Sequence, residues 1–140
     1  LAPGVRALGV RMGIGNSPRC ADDGESDYLT LFVEDGRLLK PVLRNLPMSA
    51  WRVAKGGSTC GNGGGDVDHT IERVALTLQM AATSTAGWHD IDVIAQHDIE
   101  IPGGAAIVPA KRETRKQSLG RLRAKDRSYA TTNLLDRLWP

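Results

Sequence analysis

Aromatic side chains are scarce in this chain of 140 residues: Phe32, Tyr28, Tyr129, Trp51, Trp88 and Trp139 are all it has. Its core must therefore be filled by Val, Ile, Leu and Ala. Cysteine is nearly absent as well. Cys20 and Cys60 are too few for a four-ligand zinc site. Two cysteines without an apolar leader segment fit free thiols in a reducing, intracellular compartment. No apolar run approaches the length of a membrane span, so no membrane partner is expected. The net charge of +2 is too small to mark a polyanion partner by itself.

Turn formers are plentiful instead. Sixteen glycines and seven prolines imply many reversals, and so a β-rich or partly loose chain. The length suits one small domain with an extra arm. A start at Leu1 rather than Met reads as a processed piece, an internal domain or a fragment.

Along the chain, residues 1–27 mix Gly, Pro, Arg and Asp without a period and read as a loose arm. Tyr28-Leu-Thr-Leu-Phe-Val33 is a good β run. Asp35-Gly36 then signals a hairpin into Leu38–Leu43, with Pro41 confining that strand to an edge. Thus 1–54 is an arm carrying a candidate hairpin at 28–43. Residues 55–66 are a glycine-rich linker. Gly61-Asn-Gly-Gly-Gly65 lacks the following Lys-Ser/Thr of a phosphate loop. From residue 67 onward the pattern becomes regular. Ile71, Val74, Leu76 and Leu78 are candidate inward positions. Ile91–Ala95, Asp98–Ile101 and Leu119–Ala124 read as short strands, Pro102-Gly103-Gly104 as a turn, and Asn133–Trp139 as a short helix or a frayed tail. Short strands at close spacing predict an antiparallel sheet, sandwich or barrel.

Two groups of residues carry chemistry. Lys111 to Arg127 holds eight Lys/Arg against Glu113 and Asp126. Such a run is either a solvated strand face or a surface for phosphate or nucleic acid. His89, Asp90, Asp92, His97, Asp98 and Glu100 form the second group. Their spacing matches no standard transition-metal pattern. On a strand, Asp90 and Asp92 share a face, an arrangement that suits the hard cation Mg²⁺. His97 is expected in an exposed turn between strands. Polar outer faces of half-buried strands explain the same residues without any ligand.

Thr83-Ser-Thr-Ala-Gly-Trp88, followed by Asp90-Ile91, resembles the first motif of the trimeric dUTP pyrophosphatases, Ala-Gly-aromatic-Asp-Leu, with His89 as an extra residue. The likeness continues through Ile101-Pro-Gly103 and Ala106-Ile-Val-Pro109. Gly120-Arg-Leu-Arg-Ala-Lys-Asp-Arg-Ser128 is similar to the second motif, with two extra residues before Arg127-Ser128. About residues 71–132 are covered. The resemblance implies a small β sandwich or barrel, a homotrimer, and cleavage of dUTP to dUMP and pyrophosphate. It implies Mg²⁺ held through water by Asp90, or by Asp92 if the register slips, and phosphate contacts from Arg127 and Ser128. No equivalent of the third motif, with its water-activating Asp and its Tyr, is present, nor of the fourth and fifth. The resemblance therefore assigns no catalytic base and implies a truncated or degenerate β domain over 67–140. A non-catalytic nucleotide- or nucleic-acid-binding module, or a fragment without activity of its own, are the alternative readings.

Overall fold

A computed structural model describes residues 1–14, 21–56, 69–101, 111–131, 134 and 137–139. It is an antiparallel meander. Six strands follow one another across a single sheet in chain order: β1 (Ala7–Gly13), β2 (Asp23–Asp35), β3 (Leu38–Lys55), β4 (Thr70–Thr85), β5 (Trp88–Ile101) and β6 (Lys111–Leu122). A small hairpin, β7 (Ala124–Lys125) and β8 (Ser128–Tyr129), follows β6 and folds back. It touches β3 through one parallel pair, Leu43 with Tyr129. The sheet is therefore open, where the strand spacing alone allowed a closed barrel or a sandwich. No helix is present among the described residues, and none there is long and apolar enough to cross a membrane.

Alternation of apolar and polar residues explains the strands, because successive side chains leave opposite faces. Leu29 and Val33 on β2, Leu46, Met48 and Ala50 on β3, Val74 and Leu76 on β4, and Ile91, Val93 and Ala95 on β5 are all buried. Ala124, Tyr129, Leu134 and Leu138 join the same cluster, so the terminal hairpin and the last residues close over one side of the sheet. Long strands keep this pairing specific: a one-residue slip would exchange the buried set for the exposed one.

Several details depart from the sequence reading. The expected loose arm contains a strand, since Ala7–Gly13 pairs with β2 from Ala7 opposite Val33 to Gly13 opposite Asp27. Ile71 is not inward; Glu72 takes that place, in step with Val74 and Leu76. The two expected short strands at 91–101 are one strand, and His97 lies in its middle, fully buried rather than in an exposed turn. His97 continues the inward parity of Ile91, Val93 and Ala95, and a charged partner offsets its polarity, as described below. The basic run from Lys111 forms β6 itself. The Asp35-Gly36 hairpin stands as expected, with β2 and β3 joined through Gly36–Arg37. At Pro41 itself β3 pairs with β2 alone, opposite Phe32, and β8 joins its other side at Leu43, so the local edge requirement is met at the proline. The glycine-rich linker beyond Gly56, the Pro102-Gly103-Gly104 turn, both cysteines and Asn133 lie outside the described residues.

Candidate functional site

Four neighbouring strands each place one polar side chain into a single cluster, in which Glu72 and His97 are buried and Arg52 and Arg115 reach them from its partly exposed rim. In register, Arg52 of β3 stands opposite Glu72 of β4, and His97 of β5 stands opposite Arg115 of β6. His97 itself lies opposite Val74, which makes Glu72 its diagonal neighbour. Glu72 Oε2 accepts from Arg52 Nε at 3.0 Å and Nη2 at 2.9 Å. Its Oε1 accepts from Arg115 Nη2 at 2.8 Å and lies 2.9 Å from His97 Nδ1. Four contacts use the full acceptor capacity of a carboxylate. Burial pushes the Glu72 carboxyl up, but the hydrogen bonds from Arg52, His97 and Arg115 outweigh it and hold the group below its ordinary range. An ionised Glu72 only accepts, so Nδ1 of His97 carries the proton. His97 Nε2 is buried with no hydrogen-bond partner. Trp139 covers the cluster, edge-on to the His97 ring at 6.0 Å and under the Arg52 guanidinium at 4.5 Å.

This arrangement suits a brace rather than a reacting centre. A carboxylate saturated by two guanidiniums is a poor base, and neither His97 nor Glu72 meets solvent. Composition and period gave Glu72 and Arg52 no special standing. The missed signal was an acidic residue at an inward β position, a burial that demands cationic partners on adjacent strands.

The sequence candidates form a second network at the far end of β5. Asp92 stands opposite Arg121, and both its oxygens accept from that side chain, Oδ1 from Nε at 2.6 Å and Oδ2 from Nη2 at 3.1 Å. Arg121 Nη1 also donates to Thr83 Oγ1 at 2.8 Å, and the Thr83 hydroxyl donates to Asp90 Oδ2 at 2.6 Å. Asp90 and Asp92 are thus brought together, but through an arginine and a threonine. The Thr83 and Thr85 hydroxyls hold the Asp90 carboxyl below its usual value against burial, with Arg121 and Arg123 adding to the effect. Arg121 thus engages both oxygens of Asp92, and Thr83 engages one oxygen of Asp90. Among the described residues, no group of three or more His, Cys, Asp or Glu is placed to hold a metal ion.

Arg127 and Ser128 sit elsewhere, on the β7–β8 hairpin. Asp126 and Arg127 both take left-handed conformations, with φ of 50° and 59°, as the two central residues of a tight hairpin turn do. The Ser128 hydroxyl donates to the Lys125 carbonyl at 2.9 Å and so serves its own turn. Arg127 lines a cavity of about 230 Å³ with Lys40, Glu34, Asp35, Trp88 and Val42. Trp88 is edge-on to Tyr129 at 6.2 Å, and the Tyr129 hydroxyl donates to the His89 carbonyl at 2.6 Å, which ties the hairpin to the start of β5. Ala86 and Gly87, the heart of the first motif likeness, have φ of 51° and 78° and form the turn between β4 and β5. The two stretches that carry the family resemblance therefore each include a tight hairpin turn, at Ala86–Gly87 and at Asp126–Arg127.

The two edges of the sheet differ. β6 carries cations along its length, and near its end the Gln117 amide donates to the Arg137 carbonyl while Arg137 Nη1 donates to the Leu119 carbonyl. β1 carries Leu8, Val10 and Met12 on one face, 54%, 41% and 57% exposed, with Ile14 next along the chain at 52%. Among the described residues, no strand pairs with the outer side of β1. Comparison of the chain with protein-family models, with curated proteins and with solved structures gave no match.

Proposed function

We propose that this chain is a non-catalytic interaction module that binds another polypeptide by strand addition at β1. The carrying observation is the exposed apolar row Leu8, Val10 and Met12 on an edge strand with one side unpaired. An edge of this kind offers backbone donors and acceptors together with side-chain contacts at alternate positions, which is how sheets capture extended segments. Natural edges avoid association with charges and bulges. β6 follows that rule, whereas β1 has a single charged residue, Arg11, and that one is paired with Asp27. The test is a titration of a synthetic peptide spanning residues 5–14 into the protein, followed by amide chemical shifts. Saturable shifts confined to β1 and β2, and lost in Val10→Lys, are expected. The absence of any shift in β1 would overturn the reading.

A second reading, deoxyuridine nucleotide binding or dUTP hydrolysis, has support of its own. Arg127, Lys40 and Trp88 line one cavity, although Glu34 and Asp35 in the same wall offset the two cations. At about 230 Å³ the space is smaller than the roughly 300–1,000 Å³ of ordinary ligand pockets, and its balanced charge makes it a weak anion site. Pyrophosphate release from dUTP with Mg²⁺, abolished by Arg127→Ala and by Asp90→Ala, would favour hydrolysis. Binding of dUMP without turnover would favour a binding role, and neither would remove this reading. Nucleic-acid binding through Lys111–Arg127 has less charge to draw on than composition suggests. Three of the eight cations there are ion-paired, Lys111 with Glu113, Arg115 with Glu72 and Arg121 with Asp92.

A further inference from the structure

We infer that the polypeptide seated on β1 is the β1 strand of a second copy of this chain, paired antiparallel about a two-fold axis at Val10. The inference rests on the reading of β1 as a strand-accepting edge and names its occupant. Residues directly opposite one another in an antiparallel pair share a face of the sheet. The apolar row occupies even positions, so joining the two rows requires registers in which even residues face even ones. Three such registers overlap most of the strand. A two-fold axis at Met12 or Gly13 loses much of that overlap. An axis at Arg11 sets two guanidinium groups against each other, which is destabilising. An axis at Gly9 leaves Gly13 and Met12 hanging past the end of the strand. With the axis at Val10 all of Ala7–Gly13 is paired, with Val10 on Val10 and Leu8 on Met12.

The opposite face supports the same register. Arg11 of one copy then stands opposite Gly9 of the other. Gly9 has no side chain, and a Cβ built there would already approach the Leu29 and Leu31 methyl groups at 3.4 Å. The partner's Arg11 thus meets no opposing side chain at Gly9 and lays its stem against the leucine methyl groups, while Asp27 of its own chain neutralises it. A second edge is a poorer partner. β6 paired with itself would oppose rows of Arg and Lys, and the Arg137 contacts cover part of its length. An interface built from one patch on both copies closes as a dimer and does not propagate.

The experiment is disulfide trapping in the full chain with Cys20→Ser and Cys60→Ser. Val10→Cys is expected to cross-link to its own counterpart on mild oxidation. Leu8→Cys is expected not to, since its counterpart lies four residues along the partner strand, about 13 Å away. Equal cross-linking at both positions, or none at Val10→Cys, would overturn the inference. Sedimentation of the unmodified chain guards against a misfolded variant: a concentration-dependent monomer–dimer equilibrium supports the two-fold pairing, and a strict monomer or a trimer overturns it. A strict monomer whose β1 still binds the residue 5–14 peptide would leave the interaction-module reading standing, whereas loss of both would remove the two together.

Discussion

Glu72 and His97 meet 2.9 Å apart inside the sheet, from strands β4 and β5, with no access to solvent. Neither belongs to the segments that resemble a nucleotide hydrolase motif most closely. Their contact, completed by Arg52 and Arg115, locks four strands in one register. A slip of one residue in any of them would leave a buried charge without its partner.

Replacing Glu72 with Ala is expected to destabilise the fold by about 2–3 kcal/mol, the scale for removing one partner from a buried charged network whose two arginines are partly exposed. Urea unfolding followed by tryptophan fluorescence measures this. A change smaller than about 0.5 kcal/mol, the level of an ordinary surface substitution, would contradict the bracing role.

The same carboxylate dictates an acid dependence. Glu72 is held below its ordinary value of 4.5 in the folded chain. The unfolded chain therefore binds the proton more readily, and the stabilisation is fully present above about pH 4.5. It is lost as pH falls through the lower, folded value. Unfolding curves between pH 7 and pH 3 are expected to show this loss, with a shallower acid slope in Glu72→Gln. An identical slope in the two proteins would assign the acid response to other carboxylates, Asp90 and Asp98 among them, which are also held low.

Trp139 lies under Arg52 and against His97. Trp139→Ala is expected to cost about 1–2 kcal/mol through the lost ring contacts. It should also expose His97, visible as a change in its imidazole NMR signals. Unchanged signals would show that the ring does not seal the cluster.

Ala86 holds φ of 51° at the turn between β4 and β5, a conformation that Asn and Gly adopt more readily than Ala. Ala86→Asn is expected to stabilise the chain by about 0.5–1 kcal/mol in thermal unfolding. Destabilisation would mean that the Ala86 methyl makes contacts outweighing the backbone gain.

Much of the sheet was legible in the sequence, because period-2 alternation and the Asp35-Gly36 hairpin are local signals. The paired strands at 28–43 and the β run around Ile91–Ala95 follow from them. β1 is hidden because Gly9 and Gly13, which weaken a strand signal, alternate with its apolar row Leu8, Val10 and Met12. His97 escaped because a lone polar residue after Gln96 resembles a turn when its partner on another strand is unseen. Glu72 and Arg52 lie twenty residues apart in sequence, and no local pattern links them. Asp90 and Asp92 share a face by strand parity, but the arginine that engages Asp92 comes from β6 and is visible only once the register is known.

The interaction role of β1 is tested most directly by sedimentation velocity of the unmodified chain and of Val10→Lys over a wide concentration range. The account expects the unmodified chain to rise from the mass of one chain toward that of two, while Val10→Lys, which places a lysine pair at the two-fold axis, remains at one. Identical behaviour of the two proteins, whether both associate or neither does, would contradict it.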